Sequence, residues 1–388
     1  MMAPNPVYLD HAATTPVRDE VFEAMRPFFG TRFGNPSSTH RWGREARAAL
    51  DEARERLARC LGARSDEVCF TSGGTEGDNL AILGAWRAMR EKGRRAVVTS
   101  PIEHKAVLGA YHQAAHEGAE ERLLEVDSDG SVSLESFDAL VDNTVAVCSV
   151  MWVNNEVGTV QPIPAMAEKS RERGVVMHTD AVQAFGKVRI DAATQQFDLL
   201  SISGHKIGAP KGIGALFIRR GTPLEPLMHG GTQDRGRRPG TENVASAIGF
   251  ARAAELTIEE SERECRRIEV LRDRLEAAIV EQVPDAVVHA RNTTRAPHVL
   301  NLSVPGTDSE SLLMALDLKG IAASGGSACS SGSISPSHVL VAMGVPPELA
   351  GAAIRMSLGA LTTDESIDRV IEVFPALVQK ARQLSVAS

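Results

Sequence analysis

Between residues 66 and 220, short apolar runs alternate with stretches in which apolar positions recur every three or four residues. The runs Val68–Phe70, Ala96–Thr99, Leu123–Val126, Val145–Val153, Val175–His178 and Leu199–Ser203 are predicted strands, with predicted helices at Asp78–Arg90 and Ile163–Arg173. Val145-Ala-Val-Cys-Ser-Val-Met151 is almost continuously apolar, as suits a strand covered on both faces. Such alternation predicts an α/β fold with a mainly parallel sheet flanked by helices. A long helical pattern follows over Glu242–Gln282, with Ile258, Cys265, Ile268, Leu271 and Leu275 as its apolar stripe. Beyond it the pattern becomes α+β: strand-like His298–Ser303, helix-like Asp308–Lys319 and strand-like Ala353–Leu358. A closing helix starts near Thr362, where Thr362-x-x-Glu365 reads as a capping box. The change of pattern places a domain boundary near residue 260.

Composition narrows the function classes. The chain has 388 residues, 43% hydrophobic and 24% charged, which suits a soluble globular protein of two or three domains. A net charge of −8 argues against a protein built to hold nucleic acid or an anionic membrane. No run reaches the ~20 apolar residues of a membrane span, and Met1–Pro16 lacks a secretory pattern, so a cytoplasmic location is expected. Five cysteines without a Cys-x-x-Cys pair suggest neither a disulfide framework nor a metal site. They raise the question of whether one is reactive.

The candidate chemistry gathers at strand ends. Lys206 follows the predicted strand 197–203 in Ser203-Gly-His-Lys206; by itself it reads as a surface lysine, but the C-terminal edge of an open α/β sheet is where ligands bind. Asp180 ends another strand, a position that often caps the next helix. Together, a strand-end lysine and carboxylate fit the needs of pyridoxal phosphate (PLP): a Schiff-base lysine, and an acid to keep the pyridine nitrogen protonated. Thr71-Ser-Gly-Gly-Thr-Glu76 opens a helix after a strand and is a candidate phosphate cup, without the Walker signature. Thr75, His104, Asn155, Asp180 and Lys206 thus fall on one side of one sheet.

Cys60, Cys69, Cys148 and Cys265 sit on apolar stripes or in strands and read as small buried hydrophobes. Cys329 differs: it lies in Ser324-Gly-Gly-Ser-Ala-Cys-Ser-Ser-Gly-Ser333, where nothing buries it. Arg355 alternates with Ile354 and Met356 on a strand. It is either a solvated arginine or one held rigidly to grip a carboxylate. The loop His229–Thr241 is basic and glycine-rich, a surface loop or a second phosphate contact.

These residues resemble a known family. The motifs are Tyr8-Leu-Asp-His-Ala-Ala-Thr-Thr-Pro16, Gly34-Asn-Pro-Ser-Ser38, Thr71–Glu76, Glu103-His-Lys105, Asn154-Asn-Glu-Val-Gly158 and Asp180-Ala-Val-Gln183. They continue through Ser203–Lys206, Arg238-Pro-Gly-Thr-Glu242, Ser327-Ala-Cys-Ser330 and Ile354-Arg355. In order and spacing they are similar to the cysteine desulfurases of the iron–sulfur-cluster and nitrogenase group, class V aminotransferases of the fold-type I PLP enzymes. The resemblance spans essentially the whole chain. It implies a large PLP-binding domain over 15–260 and a small α+β domain formed by 1–14 and 261–388, carrying an active-site cysteine loop at about 324–335.

The resemblance also implies roles. Lys206 bears the cofactor and is catalytic with Cys329, the sulfur acceptor, and His104, which stacks on the ring and serves as acid and base. Asp180 binds the ring nitrogen and Gln183 the phenolic oxygen. Gly74, Thr75, Ser203 and His205 hold the phosphate, with Thr241 supplied by the second subunit of a homodimer. Asn155 and Arg355 grip the carboxylate of L-cysteine. A sulfur-acceptor protein, such as an iron–sulfur scaffold, is the expected partner, with no membrane or direct nucleic-acid contact. Ser330 and Asp234 stand where threonine and glutamate are frequent, and neither removes a functional group. Rival readings are a selenocysteine lyase or aminotransferase with Cys329 incidental, and a catalytically silent assembly scaffold.

Overall fold

The computed structural model describes residues 6–325 and 336–387, the last four as backbone only. The elements run β1 (Val7–Tyr8), α1 (Asp19–Met25), α2 (Arg41–Cys60), β2 (Val68–Thr71), α3 (Gly74–Arg90), β3 (Ala96–Thr99), α4 (Lys105–His116), β4 (Glu120–Leu123), α5 (Leu134–Leu140), β5 (Val145–Ser149), α6 (Ile163–Glu172), β6 (Val176–Asp180), β7 (Leu199–Ser203) and β8 (Gly214–Ile218). The 39-residue α7 (Val244–Gln282) leads to β9 (Val287–Val288), β10 (Val299–Ser303), α8 (Ser309–Leu318), β11 (Ile321–Ala322), β12 (Ser324–Gly325), α9 (His338–Ala342), α10 (Pro347–Gly351), β13 (Ala353–Ser357) and α11 (Asp364–Ala387).

The main sheet has the order β2-β8-β7-β6-β5-β3-β4. Strands β3 to β7 are parallel, and β8 runs antiparallel between β7 and β2. This is the expected α/β architecture. Strands β5, β6 and β7 are buried at every position, so their apolar runs are covered by helices on both faces. The sequence reading assigns no strand to Gly214–Ile218, which is β8. It also misplaces β4: the strand is Glu120–Leu123, an edge strand with exposed charges, while Leu124 turns into the core beyond it.

A second, antiparallel sheet has the order β12-β13-β10-β9, and β1 pairs with β11. Two separate apolar cores share α7. Its first half, through Phe250 and Ala254, packs under the main sheet; its second, through Leu271, Leu275 and Ile279, packs with Val7, Leu9, Ile354 and Phe374 around the second sheet. The expected boundary near residue 260 falls inside this unbroken helix. Ile258, predicted on the buried stripe, is 40% exposed, because α7 changes its buried face between the two cores. The start of α11 also differs. Thr363 Oγ1 accepts from the Ser366 amide, whereas Thr362 Oγ1 accepts from Gly359 N, so Thr363 rather than Thr362 caps the helix.

Candidate active site

The C-terminal ends of parallel strands open on one side of the sheet, where the loops to the next helices leave a crevice. Here that crevice is a cleft of ≈ 440 Å³ lined by Gly74, Thr75, His104, Asn155, Asp180, Gln183, Ser203, His205, Lys206 and Arg355. Of the expected site residues that are described, one lies elsewhere. Thr241 is exposed on a loop outside the cleft, and Cys329 lies outside the described residues.

The cup forms where β2 passes through Ser72-Gly73 into α3. Gly73 brings no capping side chain, so the first-turn amides of a 17-residue helix face outward. A Cβ at Gly74 would fall 2.8 Å from Val182 Cγ2, so a side chain there would crowd the cleft wall. Ser203 and His205 complete the rim, with Lys211 nearby. Glu76, which would repel an anion, is neutralised: its carboxylate accepts from Ser72 N at 2.8 Å and Arg238 Nε at 2.9 Å. Although burial opposes it, these contacts hold the Glu76 carboxyl below its ordinary range. Burial, with the charges of Lys206 and Lys211, lowers His205 to about 4. His205 is therefore a neutral hydrogen-bonding group, 3.1 Å from Thr14 Oγ1.

Lys206 sits on a single helical turn after β7, and its Nζ donates to the carbonyls of Ala12 (2.6 Å) and Ala13 (2.8 Å). The segment after β1 thus reaches across to the main sheet. Asp180, buried at the end of β6, accepts from Val182 N at 2.9 Å. Burial raises its carboxyl, opposed by His104 and Lys206. His104 caps α4, its Nδ1 accepting from Ala106 N at 3.2 Å, which leaves the ring proton on Nε2.

Two more carboxyls lie beneath. Glu103 accepts from Ser100 Oγ and Met151 N, and burial pushes it to about 8. Asp78, lining the cleft, is raised by burial and then by Asp180. Of the three, Asp180 is the one whose charge is favoured by facing cations, while burial disfavours charge on Asp78 and Glu103. The sequence reading passed over Asp78, although its place one turn into the helix from Thr75 was the available signal.

Arg355 is not a solvated strand arginine. It is 2% exposed, with Nη2 on Asp10 Oδ1 and Nη1 on the Asn155 carbonyl, both at 2.8 Å. Its Nε, buried, has no partner among the described residues. The guanidinium is fixed by two bonds and offers its remaining edge to the cleft it lines. Gln183 is also fixed: Nε2 donates to Ala12 O at 2.8 Å, and Oε1 accepts from His298 Nε2 at 3.1 Å. His338, bonded to the Glu103 carbonyl at 2.9 Å, joins the lining without a sequence signal, because it comes from a distant short helix.

The donor set fits a phosphorylated pyridine aldehyde: an anion cup, a buried carboxylate for a ring N–H, and a lysine amine within one cleft. Comparison with known proteins gives the same direction. The sequence profile of the class-V aminotransferases matches residues 7–370. The chain belongs to the class-V aminotransferase family. These are PLP-dependent enzymes. Among class-V relatives, cysteine desulfurase NifS of Azotobacter vinelandii is 48% identical over 98% of this chain and 94% of its own. Cysteine desulfurase IscS of Dictyoglomus turgidum is 45% identical, covering 98% and 96%. A solved structure titled NIFS-like protein superposes with a TM-score of 0.90 at 36% identity, over 97% of this chain and 100% of that one. One titled SspA in complex with cysteine gives 0.80 at 33%, over 91% and 98%.

His178 behind the cleft carries a pH prediction. It is fully buried between Ser149 Oγ (2.8 Å) and Ser201 Oγ (3.0 Å), and burial lowers it to about 3. The unfolded chain binds this proton below about 6.5 and the folded chain does not, so its contribution is complete above about 6.5 and lost as pH falls towards about 3. Melting temperature measured across that window should fall less steeply in His178→Gln than in the parent. Equal slopes would contradict the assignment.

Proposed function

We propose that this class-V aminotransferase is a PLP-dependent cysteine desulfurase that converts L-cysteine to L-alanine and leaves the sulfur as a persulfide on Cys329. A sulfur-acceptor protein then collects it, most directly for iron–sulfur cluster assembly. The observation that carries the reading is the meeting of Lys206, Asp180, His104 and Arg355 in one cleft beside the α3 cup. The names of the relatives agree with it.

When bound, PLP supplies the electron sink that makes the substrate Cα proton removable and lets the Cβ–S bond release its electrons. Gly74, Thr75, Ser203 and His205 would hold its phosphate, Asp180 its ring nitrogen and Gln183 its phenolic oxygen, with His104 over the ring. Lys206 is the covalent anchor and then the base at Cα. Its two carbonyl acceptors aim the amine before it is needed. Arg355 and Asn155 receive the substrate carboxylate. The Cys329 thiolate attacks the substrate sulfur: an S–S bond forms, the Cβ–S bond breaks, and its electron pair leaves with the carbon fragment. Protonation of that fragment gives alanine, so cysteine and one thiol become alanine and one persulfide. His104 is the acid and base for the thiol protons.

The proposed assembly is a homodimer in which Thr241 reaches the other subunit's phosphate. A reducing cytoplasm, where an exposed thiol stays usable, is the proposed setting. None of the described helices is long and apolar enough to cross a membrane. The domain division proposed is 15–260 and 1–14 with 261–388.

The holoprotein incubated with L-cysteine and a thiol reductant should release alanine and sulfide in equal amounts. Pyruvate and ammonia in place of alanine would contradict the reading. Arg355→Ala should raise the cysteine KM by ~10–100-fold with the yellow colour retained, the effect of losing one charge-assisted carboxylate contact. An unchanged KM would remove Arg355 from the substrate site.

A further inference from the structure

A second cavity, of ≈ 470 Å³, shares Lys206 with the catalytic cleft and none of its other lining residues. It lies between the turn at Gly186-Lys187, the middle of α7 from Thr257 to Ile268, and Leu358–Leu361 after β13. Gly186 has φ 77°, and a Cβ there would fall 2.1 Å from Thr257 Cγ2, so only glycine lets this turn lie against α7. Phe185, Ile207, Pro297 and Leu358 give the cavity apolar walls.

Three polar groups in those walls have unused bonding capacity. Lys187 is half-buried in the cavity wall, and among the described residues no carboxylate or carbonyl bonds its ammonium. Burial lowers it to about 8, which leaves it mainly protonated at neutral pH. The rim carboxylates do not neutralise it: Glu260 is held by Arg18 through two bonds of 2.8 and 2.9 Å, and Glu264 by Arg267 at 2.9 Å.

His11, 5% exposed, has Nδ1 3.2 Å from the Ser357 carbonyl, so the proton is there and Nε2 presents a lone pair. That Nε2 has no partner among the described residues. His298, 1% exposed, donates from Nε2 to Gln183 Oε1, which leaves Nδ1 as a second lone pair without a partner among the described residues. Burial keeps both rings neutral, and the Lys187 charge acts on each. A half-buried cation without an anion and two buried acceptors without a donor are costly together unless something occupies the space between them.

We propose that this cavity is a second ligand site, for a small aliphatic carboxylate bearing a hydroxyl or amino group on the adjacent carbon. The carboxylate meets Lys187, the donor meets His11 Nε2 or His298 Nδ1, and the aliphatic part lies on the apolar walls. The site is coupled to the catalytic lysine by short connections. His11 precedes Ala12 and Ala13, whose carbonyls hold Lys206 Nζ, and His298 bonds Gln183, which also bonds Ala12 O. Occupancy therefore acts on the anchors of Lys206. The inference rests on the cavity and stands apart from the desulfurase reading.

The test uses 2-hydroxy-3-methylbutanoate, which has the carboxylate, donor and aliphatic body but no amine to react in the PLP cleft. Calorimetric titration of the holoenzyme should show one site with a Kd of about 1 mM, as suits a ligand of this size. Arg355→Ala should bind equally well, and Lys187→Met at least ~10-fold more weakly, the loss of one charge-assisted contact. Ser261→Phe, at the cavity lining on α7, should also block binding and decides the matter if Lys187→Met does not fold. No binding to wild type, undiminished binding in Lys187→Met or Ser261→Phe, or loss of binding in Arg355→Ala (which puts the ligand in the cleft) would each overturn the proposal.

Discussion

Replacing Lys206 with alanine should abolish turnover, by at least ~10⁴-fold, and remove the yellow colour of the holoprotein. Two functions leave with one amine: the covalent attachment of the cofactor, and the proton transfer at the substrate Cα, itself worth ~10²–10⁴. The fold should survive, because Nζ donates to the Ala12 and Ala13 carbonyls of the loop after β1, and neither alanine belongs to the two apolar cores that α7 joins. The phosphate cup is untouched, so the variant should still take up PLP reversibly and be separable from an unfolded protein by its melting curve. A variant that stays yellow and turns over cysteine would remove Lys206 from the centre of the chemistry.

Replacing Cys329 with serine should leave the colour intact and reduce sulfide release to background. The physical case rests on the other four cysteines. Cys69 and Cys148 are buried in strands, and burial pushes both thiols far above their ordinary range. Cys60 and Cys265 are half-buried, less enclosed than their apolar stripes imply, yet burial still raises both, Cys60 to about 11. A thiol with a pKa of about 11 is only ~10⁻⁴ thiolate at neutral pH. None lines the catalytic cleft. That leaves Cys329 as the proposed nucleophile, with none of these four cysteines placed to take over its work.

The strand-end residues were legible because parallel strands in a buried sheet write themselves as apolar runs, and the polar residue that follows each run marks the same edge. Thr75, His104, Asn155, Asp180 and Lys206 meet for that reason. Strand β8 was not legible: Gly214-Ala-Leu-Phe-Ile218 follows a glycine- and proline-rich loop and pairs antiparallel between two strands far apart in sequence. Strand β4 was displaced because an edge strand carries charges where the apolar pattern looks for core. Arg355 could be assigned to the non-core face of its strand, but only the packing of the Asp10 segment and the Asn155 loop against it distinguishes a clamped guanidinium from a solvated one. The burial that raises the Asp78 and Glu103 carboxyls depends likewise on contacts across elements. Side chains drawn together from separate strands and helices leave no period in the sequence.

The central claim is that the sulfur of L-cysteine is transferred to Cys329. Intact-protein mass spectrometry after mixing the holoprotein with L-cysteine, without reductant, tests it directly. One added sulfur on the wild type, none on Cys329→Ser, and alanine in solution is the predicted result. A yellow wild-type protein that gains no sulfur, or a Cys329→Ser variant that gains as much as the parent, would contradict it.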